Sequence, residues 1–378
     1  MTTIGPDLQT LARRAASSLA LLTLGVAPLA AQDLAAERGR VLTVVGHAKG
    51  VDLPLFPLAD GTGVVFRQEL FEPGAESLRA HLVVERPGEA WGVQLTNAAG
   101  EVVWSTWDGA VEGADFWTDE VAGERATVEV LSSRPANPLR LRIEEVAIGE
   151  PEVVPVSITF PNQLATIVGQ EDWVVELGRS VARLRFVGDD GGVFVCTAFL
   201  VTPDLMLTNQ HCIATDSEML SALVDFDFDE EGTIGSTLRL RELLDTDHGL
   251  DYSVVRLDRC VGRLPLRLES TNPPDDEQLL IVQHPGGEPK QVSIADCTVD
   301  GPLVPGRAGD DTDFGHQCDT RGGSSGSPVF DFETRRVVGL HHLGINPASG
   351  DLFNRAVHID QVLADLDAAL RAEIEAGQ

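Results

Sequence analysis

Apolar and polar residues alternate along most of this chain, in runs too short for helices. Leu139-Arg140-Leu141-Arg142-Ile143 and Ala126-Thr127-Val128-Glu129-Val130 place every second side chain on one face, the period of a half-buried strand. Turn residues break these runs at Pro87-Gly88, at 97–100 and at Asp108-Gly109, so residues 33–150 predict an antiparallel β-sandwich of about a hundred residues. Short strands resume over 171–352, with turns at 188–192, Thr202-Pro203-Asp204, Pro285-Gly286-Gly287 and 301–309. Between the two sets, 151–161 places three prolines among β-branched residues and 162–170 shows no period. Residues 151–170 therefore read as a linker open to cleavage. Only the end changes period: Ile359, Val362, Leu363, Leu366 and Leu370 fall at helical spacing and predict one amphipathic helix within 358–375. The expected fold class is all-β with a single C-terminal helix.

With 378 residues and 43% hydrophobic content the chain can fill two cores, one for each set of strands. The first residues belong to neither. Arg13 and Arg14 precede an apolar run, 15–29, that ends in the small residues Ala30 and Ala31, which predicts a cleavable export signal over 1–31. That run falls short of the roughly 20 residues a membrane-spanning helix needs, and no later segment is longer. The expectation is a soluble protein, secreted or periplasmic.

Charge narrows the partners. Fifty-nine acidic side chains against 28 basic ones give a formal net charge of -31, scattered along the chain, which repels nucleic acid and anionic lipid alike. The run Asp225-Phe226-Asp227-Phe228-Asp229-Glu230-Glu231 lacks the glycine and terminal glutamate spacing of a dedicated calcium loop. Its alternation predicts a strand with phenylalanines inward and carboxylates outward, and no metal or cofactor is assigned. Trp91, Trp104, Trp107 and Trp117 lie in the first strand set, where tryptophan packs in the core; exposed aromatics there would offer contact to a glycan or other polymer. Five cysteines lie in the second half of the chain, and export permits disulfides. Cys196 and Cys212 bracket one apolar hairpin and Cys297 and Cys318 bracket another segment, which suggests those pairs. Cys260 is then left over, free or paired between chains.

Amide hydrolysis at neutral pH needs an activated nucleophile, a base, an anion that holds the base, and donors for the oxyanion. Each has a candidate. Ser325 stands in Gly322-Gly323-Ser324-Ser325-Gly326-Ser327-Pro328, where glycines free the backbone to turn and approach a substrate. His211 stands in Thr208-Asn209-Gln210-His211-Cys212, just past an apolar hairpin that makes it rigid. Asp251 opens the apolar run 252–257, a place from which a buried carboxylate can accept from an imidazole; Asp247, beside His248 in a polar turn, is the rival.

These three motifs, in the order His, Asp, Ser, resemble the trypsin-like serine proteases, over about half the chain. The resemblance implies a chymotrypsin-like double β-barrel with a C-terminal helix over 171–378, behind a small β-sandwich of accessory or pro-domain type. It also implies a Ser325-His211-Asp251 triad, an oxyanion hole from the amides of Gly323 and Ser325, and a Cys196–Cys212 bridge beside the histidine. Ser324 departs from the digestive members of the family, which carry aspartate before the nucleophile to receive a new amino terminus, so that activation switch is expected to be absent or different. The Gly-Ser-Ser-Gly-Ser-Pro form is similar to the bacterial branch that includes glutamyl endopeptidases. By the same resemblance Asp319, Thr320, His341, His342 and Gly344 line the specificity pocket. Asp319 at its base would attract lysine or arginine, whereas Thr320 with His341 matches residues that bind a carboxylate, so the sign of the preferred side chain stays open. Arg321 could neutralise Asp319, or Asp319 could turn away. His284 reads as a turn residue. The implied activity is cleavage of protein or peptide substrates by a secreted serine endopeptidase, the alternatives being an inactive protease-fold binding protein or an esterase.

Overall fold

A computed structural model describes residues 43–55, 62–107, 115–134, 137–150, 162–345 and 353–378, with the backbone of 21–23 and 156–157. The segment read as an export signal therefore lies outside the described residues, apart from Leu21–Thr23, which runs parallel to Glu69, Leu70 and Phe71. The chain divides into two compact units. One comprises Met1–Val26 and Asp52–Glu144, the other Ala27–Val51 and Glu145–Gln378.

The first unit is built from antiparallel strands. Gly63–Phe71, Arg125–Ser132, Trp91–Asn97 and Val102–Trp107 are neighbours in one sheet, while Ser77–Arg86 pairs with Asp115–Trp117 and Val121–Ala122 in another. Alternation sets Val128 and Val130 in the core on one strand and Leu141 and Ile143 on another, as period two requires, although Glu129 between the valines is buried as well. Trp91 and Trp117 are core residues. Trp107 is not: it is 47% exposed, on the same edge strand as exposed Val102 and Val103.

In the second unit, β1 (Val181–Val187), β2 (Gly192–Leu200), β3 (Leu205–Thr208), β4 (Leu223–Phe226), β5 (Ser236–Asp247) and β6 (Tyr252–Leu257) close into a barrel in the order β1-β4-β5-β6-β3-β2, with β2 pairing back to β1. Phe186, Phe194, Met206, Phe226 and Val255 fill it. A second barrel uses β7 (Leu279–Gln283), β8 (Gln291–Ser293), β9 (Asp311–His316), β10 (Pro328–Asp331), β11 (Val337–Leu343) and β12 (Asn354–His358), with β8 between β7 and the short strand Ala165–Thr166. The path β7-β10-β11-β12-β9 closes through bridges from Thr298 to Gln278 and from Val299 to His316. A further cluster, including Phe199, Leu207, Tyr252, Leu280, Phe330 and Leu340, joins the outer faces of the two barrels. This is the chymotrypsin-like arrangement, and it brings the end of β3, the start of β6 and the loop before β10 together.

Two local expectations change. The C-terminal helix is two helices, Ile359–Asp365 and Ala368–Gly377, because Leu366 turns extended and the Asp367 side chain accepts from the amides of Ala369 and Leu370 to start a new helix. The carboxylate of Asp225 lies on the face opposite Val224 and Phe226, as alternation requires, but it does not reach solvent: it is fully buried between Arg183 and Arg185 on the neighbouring strand β1. Asp227 pairs with Arg263 and Asp229 with Lys290, so these three carboxylates of the acidic run already have cationic partners.

Candidate active site

Strand register sets the first two residues side by side. Thr208 at the end of β3 lies opposite Ser253 on β6, so the residues just beyond, His211 and Asp251, meet at the same rim of the first barrel. Asn209 Nδ2 donates to the Asp251 carbonyl at 2.9 Å, and the Cys196–Cys212 disulfide fastens the turn to β2. Asp251 itself is fully buried and takes a φ of 54°, in the left-handed region that aspartate tolerates better than most residues.

Both carboxylate oxygens of Asp251 face His211. Oδ1 accepts from the His211 amide at 2.9 Å and Oδ2 from ring Nδ1 at 2.7 Å. With the proton on Nδ1, Nε2 keeps a lone pair, and it has no hydrogen-bond partner among the described residues. Burial alone would raise the Asp251 carboxyl, but His211 and the hydrogen bonds from His211 and His342 outweigh it and hold the group well below the usual carboxylate range. The rival, Asp247, uses its carboxylate to cap the turn by accepting from the Leu250 amide at 2.7 Å.

The segment carrying Ser325 is stitched to both barrels. Ser324 N donates to Arg321 O at 3.0 Å, closing a turn in which Gly323 takes a φ of 90°. Thr197 on β2 donates from its amide to Ser325 O at 2.7 Å and from its hydroxyl to Gly323 O at 2.9 Å, while Gly326 N donates to His341 O on β11 at 2.9 Å. A Cβ at Gly326 would lie 2.0 Å from Thr197 O, so only glycine allows the approach. The amides of Gly323 and Ser325 enter no hydrogen bond among the described residues. Ser325 is half-buried, and its hydroxyl is not hydrogen-bonded to His211 Nε2. Such a contact is often long without substrate and tightens when one binds.

The residues expected at the specificity pocket separate into two groups. Asp319 is buried and its Oδ2 accepts from the Gln163 amide at 2.7 Å, so it is turned to the backbone; Arg321 pairs with Glu288 instead of neutralising it. Thr320 is buried beside it and Gly344 is exposed just past β11. His341 is buried, with Nδ1 3.1 Å from His316 Nε2, and burial pushes both rings below the usual histidine range, His316 to about 3. His342, grouped with the pocket residues in the sequence, faces the opposite way, as the next residue on a strand must. Its Nδ1 lies 3.2 Å from Asp251 Oδ2 and its Nε2 2.6 Å from Asp313 Oδ2. Arg307 adds a contact of 2.9 Å to Asp251 Oδ1. Neither Asp313 nor Arg307 sits in a motif; only strand register and loop path bring them here. His284 is a buried turn residue, bonded through Nδ1 to Glu288 O at 3.0 Å and stacked on Phe228.

The cysteines pair as Cys196–Cys212 and Cys297–Cys318, and Cys260 is free and exposed. Cys196, His211 and Cys212 form a close group of potential metal donors, but the two sulfurs are joined in a disulfide and are not thiolates.

Residues 196–340 match the family model described as a trypsin-like peptidase domain. The chain carries a trypsin-like peptidase domain. Within it fall His211, Asp251 and Ser325. Over 183 residues the chain is 31% identical to the secreted RxLR effector protein 73 of Plasmopara viticola, covering 44% of this chain and 45% of that one. It is 32% identical over 198 residues to the uncharacterized protein y4fB of Sinorhizobium fredii (strain NBRC 101917 / NGR234), covering 44% of this chain and 28% of that one. The chain thus spans less than half the length of these curated relatives. Among solved structures it is similar to an inactive form of Rv3671c from M. tuberculosis H37Rv, at 18% identity and a TM-score of 0.42, covering 60% of this chain and all of that one.

Proposed function

We propose that the chain is an exported serine endopeptidase. The observation that carries the reading is the His211–Asp251 pair, which holds Nδ1 on the carboxylate and leaves Nε2 without a hydrogen-bond partner among the described residues, in a peptidase domain whose glycine-rich loop holds Ser325. Ser325 Oγ attacks the scissile carbonyl carbon while its proton passes to His211 Nε2. Asp251 keeps the proton on Nδ1 and stabilises the imidazolium that forms. The amides of Gly323 and Ser325 receive the oxyanion, a contribution typically worth about 3 kcal/mol of barrier per donor. The imidazolium then protonates the leaving amine as the C–N bond breaks, and water repeats the sequence on the acyl-enzyme.

The commitment of Asp319 to the Gln163 amide supports an acidic side chain, not a basic one, before the scissile bond, with Thr320 and His341 as its partners. Two disulfides, and the fact that no helix among the described residues is long and apolar enough to cross a membrane, support a secreted or periplasmic site of action. The exposed Trp107 edge supports a polymer contact for the first unit. Matched peptide and ester substrates carrying glutamate or lysine before the cleaved bond test the reading together. We expect peptide cleavage after glutamate that vanishes in Ser325→Ala; ester cleavage alone would point to an esterase, and activity surviving in Ser325→Ala would remove the assignment.

A further inference from the structure

Asp251 is fully buried, yet it faces more than the histidine of a simple triad. His211 meets both its oxygens, Arg307 Nη1 lies 2.9 Å from Oδ1, and His342 Nδ1 lies 3.2 Å from Oδ2. The other ring nitrogen of His342 lies 2.6 Å from Oδ2 of Asp313, which is also fully buried. A neutral imidazole has one N–H and one lone pair, so between two carboxylates it would donate to one and turn its lone pair on the other. Only the imidazolium donates to both.

The charges of the neighbourhood lead to the same state. The groups facing His342 or its two carboxylates are Asp251, Asp313, His211 and Arg307, with His316, His341 and His358 nearby and Asp360 beyond His358. Burial keeps His316, His341 and His358 below the usual histidine range, so they contribute no positive charge near neutrality. With Arg307 and His342 charged, two buried carboxylates meet two cations. A neutral His342 would leave an unbalanced negative charge in the interior. Consistent with this, Asp313 and Asp251 overcome the opposing effect of burial and raise His342 to about 9.

We propose, building on the triad reading above, that His342 is a positioning residue, protonated across the neutral range, that bridges Asp251 to Asp313 and ties the triad carboxylate to the second barrel. It fixes the rotation of Asp251, so that Oδ2 stays aimed at His211 Nδ1. It also shares the charge of Asp251, so that His211 holds a proton less tightly than it would beside an uncompensated carboxylate. The consequence is a base that remains unprotonated, and active, at lower pH.

The test uses the full chain labelled with ¹⁵N-histidine, the His342 signals being assigned by their loss in His342→Gln. Between about pH 6 and 8 both ring nitrogens should show imidazolium shifts; a neutral tautomer in that range overturns the proposal. In kinetics, His342→Gln should move the acid limb of kcat/KM upward by about one pH unit while KM changes little. Because the single variant leaves Asp313 without its cationic partner, His342→Gln/Asp313→Asn is measured beside it, and an upward shift is again expected, smaller because a carboxylate is removed with the cation. An unmoved acid limb in a folded variant contradicts the proposal. Cleavage surviving in Ser325→Ala removes the triad reading and this proposal with it, whereas an inert Ser325→Ala with a neutral His342 removes this proposal alone.

Discussion

Buried histidines in the peptidase domain divide by their neighbours. His342, between two carboxylates, is raised to about 9, while His316, beside His341 and no anion, is lowered to about 3. Each shift makes folding depend on pH, with opposite signs. The contribution of His342 is complete below about 6.5, its unfolded value, and is lost as the pH rises through about 9. For His316 the unfolded ring takes a proton below about 6.5 that the folded ring refuses, so stability falls as the pH drops from there toward about 3. The thermal midpoint should therefore be highest near neutrality. Calorimetry across pH should show His316→Gln flattening the slope between about 4.5 and 6.5, above the range where unfolded aspartate titrates, and Asp313→Asn flattening the alkaline slope; parallel curves for wild type and variants would contradict this. None of this was legible in the sequence, where His341-His342 reads only as adjacent residues on a strand. His211, Asp251 and Ser325 could be singled out as candidates because each sits in its own local motif.

At the level of elements, the hairpin of β2 and β3 delivers His211 and is closed by Cys196–Cys212, with a sequence separation of 16. A loop of that length constrains the unfolded chain by about 3 kcal/mol. Replacing both cysteines by alanine should lower stability by about that amount in denaturant titration and cut activity further, through a looser His211; stability unchanged within error would show the bridge to be dispensable. The strands themselves follow from period two, and the predicted pairing of four cysteines matches the structure. The carboxylate run at 225–229 misled because alternation records which face is which but not that two arginines on β1 cover Asp225 on the outer face and bury it there. The single C-terminal helix misled because its apolar spacing continues across Leu366, while the break is made by Asp367 acting as a cap. Arg307 and Asp313 gave no signal: their contacts exist only once 301–309 loops back and β9 finds its register.

For the whole molecule, two closed barrels joined by a shared apolar cluster hold the histidine and aspartate at the rim of one, while the serine loop is bonded to strands of both. Such an arrangement, on the proposed triad, activates one hydroxyl out of many. Peptide-level mass spectrometry after treatment with a fluorophosphonate, on wild type and Ser325→Ala, tests it most directly. A single adduct on Ser325, abolished by the substitution and weakened in His211→Ala, is the predicted result. A folded protein that takes up no adduct, or takes it up equally at other serines, would contradict an activated nucleophile here and leave the domain as a protease fold used for binding.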